Sequence, residues 1–518
     1  MKKLILVICC IGFANLSYAQ NDVLCEALVN YSPNGRNLEI TDAEWFEERS
    51  LPEGFNGPGI DLPPHCHVEG VIDRRIGVND VEYGIRFALN LPANWNGRFL
   101  FQGGGGLNGS VAEPLGAQGT GGNPGLLQGF AVVSNDTGHQ AQGPFDASFF
   151  DDQEATLNFY YKANPKVTEI SKQIINAYYD EDIAYSYFVG CSTGGREGML
   201  MTQRYPDYFD GVVSGAPAMR TSASNLGIRW VGVQLNQAAD RDDNGLPLAG
   251  PMLTETERQL LINSLMARCD GLDGAQDGLL FNTQACDFDP RQIACGNGDF
   301  GSSCLPPAKA EAIHMAMQGP TDSRGVQVYP GFQYDPGMDD QGFIGGILNS
   351  SNNPPEGPGS TGVLEFDVDG AVIEASRQHL VMGESTSVMM SSFADGGGKQ
   401  IFYHGAADPW FSINETIRYY NEMAEFNGGL ELVSNWSRMF PVPGMAHCAG
   451  GDETLDSFDM LSAIVDWVEN DEAPEQVIVT GTSMPGVSRP LCPWPSYPQY
   501  DGSGEINDAE NFSCQEPQ

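Results

Sequence analysis

The sequence predicts an α/β fold, a parallel sheet covered on both faces by helices, with a large segment inserted between two of its strands. Three observations predict it. Apolar and alternating runs recur between helix-patterned stretches; Gly190-Cys191-Ser192-Thr193-Gly194-Gly195 stands where one such run should turn sharply into a helix; and the composition changes character between about Thr221 and Ser391.

Taken along the chain, strand patterns lie at Val81 to Leu89, Arg98 to Gln102 and Phe130 to Ser134, punctuated by turn residues. A helical stretch from about Ala155 to Tyr179 precedes the run Ala184 to Val189, which leads to Ser192. Helix is expected from Gly195 to Arg204, then strands at Gly211 to Gly215 and Gln400 to His404. Between them, helix-like segments (Glu255 to Ala267, Pro307 to Met317) alternate with loops rich in Gly, Pro, Asp and Asn that carry four cysteines. This part reads as a lid domain, 221–391, inserted into a core made of 20–220 and 392–518. Beyond Ala473 the tail is Pro-rich and should wrap the surface under a disulfide between Cys492 and Cys514.

Residues 1–19 have the form of a secretory signal: Lys2 and Lys3, the apolar run Leu4 to Phe13, and Ser17-Tyr18-Ala19 before Gln20. The run is too short for an anchor, and no later stretch approaches the ~20 apolar residues a membrane span needs. The expected location is therefore secreted or periplasmic. Removing the leader takes Cys9 and Cys10 away and leaves ten cysteines, an even number suited to an oxidising compartment. The formal charge of −42 argues against nucleic acid or anionic membranes as partners, since both require clustered Lys and Arg.

The chemistry is written in three places. A serine hydroxyl is a weak nucleophile and needs a histidine base, itself oriented by a carboxylate. Ser192, Asp408 in His404-Gly405-Ala406-Ala407-Asp408-Pro409-Trp410 and His447 in Gly444-Met445-Ala446-His447-Cys448 supply them, in the order typical of an α/β-hydrolase. Plainer readings exist: Ser192 as a turn serine, Asp408 as a helix cap before Pro409, Asp395 as the acid, His404 or His139 as the base. His404 is read as lining the pocket, or as a satisfied histidine at a strand end. For the oxyanion, the backbone N–H of Thr193 and one from Gly103-Gly104-Gly105-Gly106 are expected, with Gly105 and Gly106 favoured. A phosphate loop is excluded because no Gly-Lys-Ser/Thr follows.

If Ser192 and His447 meet, Cys191 and Cys448 come within the ~5.5 Å Cα separation of a disulfide. That bridge would clamp the nucleophile to the base; the plainer reading makes Cys191 a small buried residue. Ten cysteines cannot be paired from sequence alone, but short-range proximity suggests Cys269–Cys286, Cys295–Cys304 and Cys492–Cys514, leaving Cys25–Cys66. The stretch Cys269 to Leu279 packs Asp270, Asp273 and Asp277 among glycines, which suits Ca²⁺ or, equally, plain Asp-Gly turns.

Together, the Cys-Ser and His-Cys pairs, the intervening Asp408, the four-glycine run and the Asp-rich loop resemble the tannase/feruloyl esterase family, which includes mono(2-hydroxyethyl) terephthalate hydrolases. The resemblance spans essentially the whole chain after the leader. It implies an α/β-hydrolase core with a large lid. It also implies the five disulfides above and a structural Ca²⁺ held by Asp270, Asp273 and Asp277 with the carbonyls of Ala275 and Leu279. No organic cofactor is implied. The implied substrates are small esters of aromatic acids, with the lid choosing among them. No Lys or Arg lies between Arg324 and Arg377, so a cation for a free carboxylate is not evident apart from Arg324, Arg377 and Lys399; this favours a phenolic ester such as a feruloyl ester. Trp410 and Phe411 are placed to flank the aromatic acyl group, or else are core residues. The rivals are a peptidase on the same core and a non-catalytic binding protein on a hydrolase scaffold.

Overall fold

Strand-forming residues sort into nine main strands in a computed structural model, which describes residues 21–33, 37–52, 59–248, 251–296, 301–341, 345–349, 363–378 and 384–517. The expected leader at 1–19 lies outside them. The chain divides into two compact units: residues up to 118 with 123–188, and 119–122 with 189–518.

In the first unit, β1 (Leu38–Phe46), β2 (His65–Ile76) and β3 (Glu82–Pro92) pair antiparallel in sequence order. β3 is then antiparallel to β5 (Ala131–Asn135), which lies parallel to β4 (Arg98–Gln102). The expectation of an all-parallel sheet is corrected here. Only a short link joins Ile76 to Glu82, whereas a parallel return needs a crossover of about a dozen residues or more. The strands β1 and β2 carry no clean alternation, and sequence patterning does not reveal them. In β2, Gly70 leaves room for Phe87 of the neighbouring strand, whose ring lies 2.7 Å from where a Cβ would stand. The bridge Cys25–Cys66 fastens the chain's start to β2.

The expected helical stretch from about Ala155 to Tyr179 forms, with one irregular turn inside it. Asp152 caps a short turn by accepting from Ala155 N at 2.9 Å; a π-helical turn fills Asn158–Lys162, and α1 runs over Ala163–Tyr179. Pro165 has no N–H for the carbonyl four residues back, and the ladder widens just ahead of it.

The second unit takes over within β6 (Tyr185–Cys191), whose order continues through β7 (Gly211–Gly215), β8 (Lys399–Gly405) and β9 (Ser437–Val442). Here the expected parallel pairing holds: β7 with β8, and β8 with β9. Nearly every residue of these strands is buried, as continuous apolar runs such as Ile401-Phe402-Tyr403 require. After β6 comes α2 (Thr193–Arg204). The inserted segment then contributes α3 (Thr221–Ala238), α4 (Glu255–Cys269), α5 (Pro307–Gln318) and α6 (Val368–Gln378). α7 (Ile413–Phe426) follows β8, and α8 (Met460–Asn470) packs against β7 and β8.

α4 begins with a capping box in which Thr254 and Glu257 satisfy each other's backbone N–H. The insert has its own apolar cluster, with Leu235, Leu261, Leu265, Leu305 and Ile313 buried together. The tail forms two hairpins, Val477–Thr480 with Ser488–Leu491 and Tyr497–Tyr500 with Phe512–Gln515, stapled by Cys492–Cys514. Because Leu261 is 0 % exposed within the insert's cluster, Leu261→Ala should lower unfolding free energy by about 2–5 kcal/mol. Urea titration followed by circular dichroism checks this.

Candidate active site

Local sequence makes the turn at Ser192 unusual. It joins β6 to α2 with φ 64° and ψ −123°, a backbone conformation that side-chain-bearing residues rarely adopt. The flanking glycines make it sterically possible. A Cβ on Gly190 would lie 2.5 Å from the Gly194 backbone, and one on Gly195 would lie 2.2 Å from the Gly215 carbonyl. Two backbone bonds lock the elbow to the next strand: Ser192 N donates to Gly215 O at 3.0 Å, and Ala218 N donates to Ser192 O at 3.0 Å. The Ser192 residue stays partly exposed. Thr193 opens α2, where the positive end of the helix dipole favours developing negative charge.

Asp408 and His447 meet at the ends of adjacent parallel strands. His447 Nδ1 lies 2.7 Å from Asp408 Oδ2, and both side chains are buried. A carboxylate can only accept, so Nδ1 carries the proton and Nε2 keeps its lone pair, as a base must. Asp408 Oδ1 accepts from the N–H groups of Trp410 at 2.9 Å and Phe411 at 3.0 Å. Burial works to raise the Asp408 carboxyl, but His447 and His404 outweigh it and hold it well below the usual carboxylate range. The lowered value favours the ionised carboxylate, the form that can accept from His447 Nδ1.

The backbone keeps the acid and base loops in register. Ala406 N donates to Val442 O at 2.8 Å and Ala407 N to Met445 O at 3.1 Å. Gly405 has no side chain because a Cβ there would fall 2.1 Å from Met445 O. The loop carrying Ser192 is tied in covalently: Cys191 and Cys448 form a disulfide with Cα atoms 5.9 Å apart, although 257 residues separate them in sequence. Among the described residues no hydrogen bond joins Ser192 Oγ to His447; its Nε2 instead lies 3.6 Å from Cys448 Sγ. Catalytic hydrogen bonds are often loose before substrate arrives.

The rings of Trp410 and Phe411 stand 4.7 and 5.3 Å from the His447 ring, and both residues are partly exposed. His404 is fully buried behind the acid instead of facing an open pocket. Its Nε2 lies 2.9 Å from Phe411 O and 3.3 Å from Asp408 Oδ2, so it donates there, while Nδ1 accepts from Thr416 Oγ1 at 2.8 Å. This is the satisfied histidine at a strand end that the sequence offered as the alternative; its contact with Asp408 depends on the curl of the Asp408 loop. The competing candidates stand elsewhere: Asp395 is exposed at the end of a short helix, and the helix-cap role falls to Ser412. His139 belongs to the first unit, where it stacks on Phe149.

The four-glycine run also lies in the first unit, after β4. Gly105 is exposed, with its carbonyl accepting from Asn108 N at 2.9 Å. Gly106 has φ 57° and approaches Pro144 so closely that a Cβ would lie 2.3 Å from its carbonyl oxygen. All five disulfides form as paired in the sequence.

The Asp-rich loop after α4 folds on itself. Asp270 Oδ1 accepts from Asp277 N and Gly278 N, Asp273 Oδ1 from Ala275 N, and Asp277 Oδ1 from Leu279 N. Asp273 Oδ2 is buried with no hydrogen-bond partner, and burial, reinforced by the charges of Asp277 and Asp270, pushes this carboxyl up to about 7. Such an orphaned oxygen is what a hard cation would relieve. Asp277 Oδ2, by contrast, is taken by the buried Arg489 guanidinium of the tail. Among the described residues no group of three or more His, Cys, Asp or Glu side chains is gathered as a metal site.

Comparison with known proteins bears on this geometry. The sequence pattern described as tannase and feruloyl esterase matches residues 66–352 and 364–515. The chain belongs to that family. It is a carboxylic ester hydrolase. It is 36 % identical to mono(2-hydroxyethyl) terephthalate hydrolase of Piscinibacter sakaiensis, over 88 % of this chain and 85 % of that one. It is 29 % identical to feruloyl esterase B of Aspergillus niger, over 82 % of each. The crystal structure of feruloyl esterase B from Aspergillus oryzae superposes with a TM-score of 0.77 at 26 % identity, covering 96 % of this chain and 100 % of that one. This likeness places the fold among the α/β-hydrolases. Among the described residues no helix is long and apolar enough to cross a membrane.

Asp408→Asn should reverse the His447 tautomer while leaving the fold intact. The expected loss in kcat is about 10³–10⁴-fold with KM nearly unchanged, measured on an aryl ester with the purified protein.

Proposed function

We propose that this chain is an exported serine carboxylesterase acting on small esters of aromatic acids, with Ser192, Asp408 and His447 as its triad. The observation that carries the reading is the 2.7 Å Asp408–His447 bond, joined through Cys448–Cys191 to the strained serine elbow. His447 Nε2 takes the proton of Ser192 Oγ as the hydroxyl attacks the ester carbonyl. The tetrahedral oxyanion is met by Thr193 N–H at the start of α2. His447 then passes the proton to the departing alcohol, leaving an acyl-serine. Water enters, gives its proton to the same nitrogen and attacks the acyl carbonyl, which releases the acid and restores Ser192. Asp408 keeps the imidazole in the productive tautomer throughout.

An aromatic acyl group is supported by Trp410 and Phe411, whose partly exposed rings flank His447. A phenolic acid is favoured over one bearing a free carboxylate. Of the candidate cations, Arg324 points to solvent, 77 % exposed and paired with Asp322. Lys399 begins the strand that ends beside Asp408, about 20 Å away along it. The side chain of Arg377 lies outside the described residues. A terephthalate monoester is the second reading, favoured by the 36 % identity to the Piscinibacter enzyme. The inserted segment 221–391 acts as the lid that chooses between them.

The Asp-rich loop is proposed to hold a structural Ca²⁺ through Asp270, Asp273 and Asp277 with the carbonyls of Ala275 and Leu279; the orphaned Asp273 oxygen supports it. When bound, the ion supplies charge neutralisation to the loop and takes no part in the reaction. The basic start, apolar run and small-x-small site of residues 1–19, together with ten paired cysteines, support export to the periplasm or beyond.

A panel of methyl ferulate, methyl gallate and mono(2-hydroxyethyl) terephthalate tests the substrate. The expected outcome is the highest kcat/KM on the ferulate ester; preference for the terephthalate ester would overturn the phenolic assignment, and full activity of Ser192→Ala would overturn the mechanism. Chelation by EGTA should lower the melting temperature by several degrees, restored by Ca²⁺ but not by Mg²⁺; an unchanged melting curve contradicts the ion.

A further inference from the structure

The carboxylate of Asp335 is an expensive thing to bury. It belongs to the inserted segment and is 0 % exposed. Its two oxygens are held by two backbone donors, Gly337 N at 2.8 Å to Oδ1 and Gly444 N at 3.1 Å to Oδ2. Burial pushes the carboxyl up to about 6 against the pull of those bonds. A neutral side chain would avoid the desolvation, so the reason for a carboxylate is sought in what it joins.

Gly444 lies three residues before His447 and is held at φ 67°, where a Cβ would fall 2.4 Å from Glu453 O. Gly337, at the other end of the Asp335 turn, is wedged into the seam between the two catalytic loops. A Cβ on it would stand 2.5 Å from the Ala407 Cβ, next to the catalytic acid, and 3.0 Å from Gly444 O. The turn is backed from behind, since a Cβ on Gly346 would lie 2.3 Å from Met338 O. Upstream, the same inserted segment is fastened to the loop after Asp408 a second time. The Tyr329 hydroxyl accepts from Ser412 N at 2.8 Å, Ser412 Oγ donates to Gly331 O at 2.7 Å, and Asn414 Nδ2 donates to the same carbonyl at 2.8 Å.

We propose that the Asp335–Gly337 turn is a strut that sets the spacing of the His447 loop against the Asp408 loop, making Asp335 a positioning residue for the base. The inserted segment is thus part of the catalytic machinery as well as a cover for substrate. The proposal rests on the triad reading above. A seam displaced by about 1 Å misaligns reacting groups enough to cost on the order of 100-fold in rate.

Two variants reach the strut in opposite ways. Asp335→Asn keeps the shape but has one acceptor oxygen for two N–H donors, so one bond is lost whichever way the amide faces. Gly337→Ala drives a methyl into the seam. Both should lower kcat about tenfold or more with KM within about twofold, while an organophosphate still titrates Ser192 to one equivalent, only more slowly. The control is Asp322→Asn. Asp322 caps another turn of the insert by accepting from Arg324 N and Val326 N, both at 2.9 Å, and among the described residues it bonds to neither the Asp408 nor the His447 loop. Its kcat should stay at the wild-type value. Wild-type kcat in both strut variants, or a loss no larger than that of Asp322→Asn, overturns the strut. Should both variants fail to fold, Tyr329→Phe deletes the second tether by one hydroxyl and should lower kcat about threefold; no change there overturns the proposal. Failure of the wild-type protein to be labelled at Ser192 would instead overturn the triad reading, and the strut with it.

Discussion

One covalent bond determines the site more than any other contact: the disulfide between Cys191 and Cys448. Each of its cysteines is the immediate neighbour of a proposed triad residue, so a bridge whose Cα atoms are 5.9 Å apart limits the separation of Ser192 and His447 directly. The two residues otherwise belong to loops 257 positions apart in sequence. Hydrogen bonds alone would have to hold that register against the thermal motion of both loops. The bridge removes most of that freedom, and it also constrains the unfolded chain.

Around the clamp, the remaining constraints are steric. Glycines at 195, 405 and 444 stand where a Cβ would collide with backbone atoms of another segment, and Gly190 where it would collide with the backbone of its own elbow at Gly194. This edge is therefore a set of main chains packed closely against each other, with Ser192, Asp408 and His447 projecting from its turns. Polar bonds then set orientation. Asp408 is held by two backbone N–H groups on one oxygen and by two histidines on the other. The inserted segment adds its own pair of tethers, at Asp335 and Tyr329, to these same loops. The insert and the loops carrying Asp408 and His447 are consequently one connected structure.

Much of this was legible in the sequence because the chemistry compresses it into local motifs. The elbow needs small residues around a serine, and the acid and base need loops after apolar strands; Arg98–Gln102 and Gly211–Gly215 form where their patterns place them. What escaped was set by distant partners. β9 is disguised by its polar start and by Pro441, and it exists because β8 provides a parallel neighbour. The antiparallel first strands follow from link length more than from residue type. Asp335 looks like an ordinary polar residue until folding brings it to Gly444, 109 positions away, and His404, legible as a candidate, takes its place behind Asp408 only through the curl of that loop.

The claim that the clamp aligns nucleophile and base is tested most directly by the rate at which an organophosphate labels Ser192. The comparison is between the wild-type protein and a Cys191→Ala/Cys448→Ala variant, at a temperature where both show native circular dichroism. Losing the bridge should cost about 2–5 kcal/mol of stability, so the temperature must be chosen below the variant's transition. The account predicts labelling slowed by about 100-fold or more. Labelling at the wild-type rate in the folded variant would contradict it.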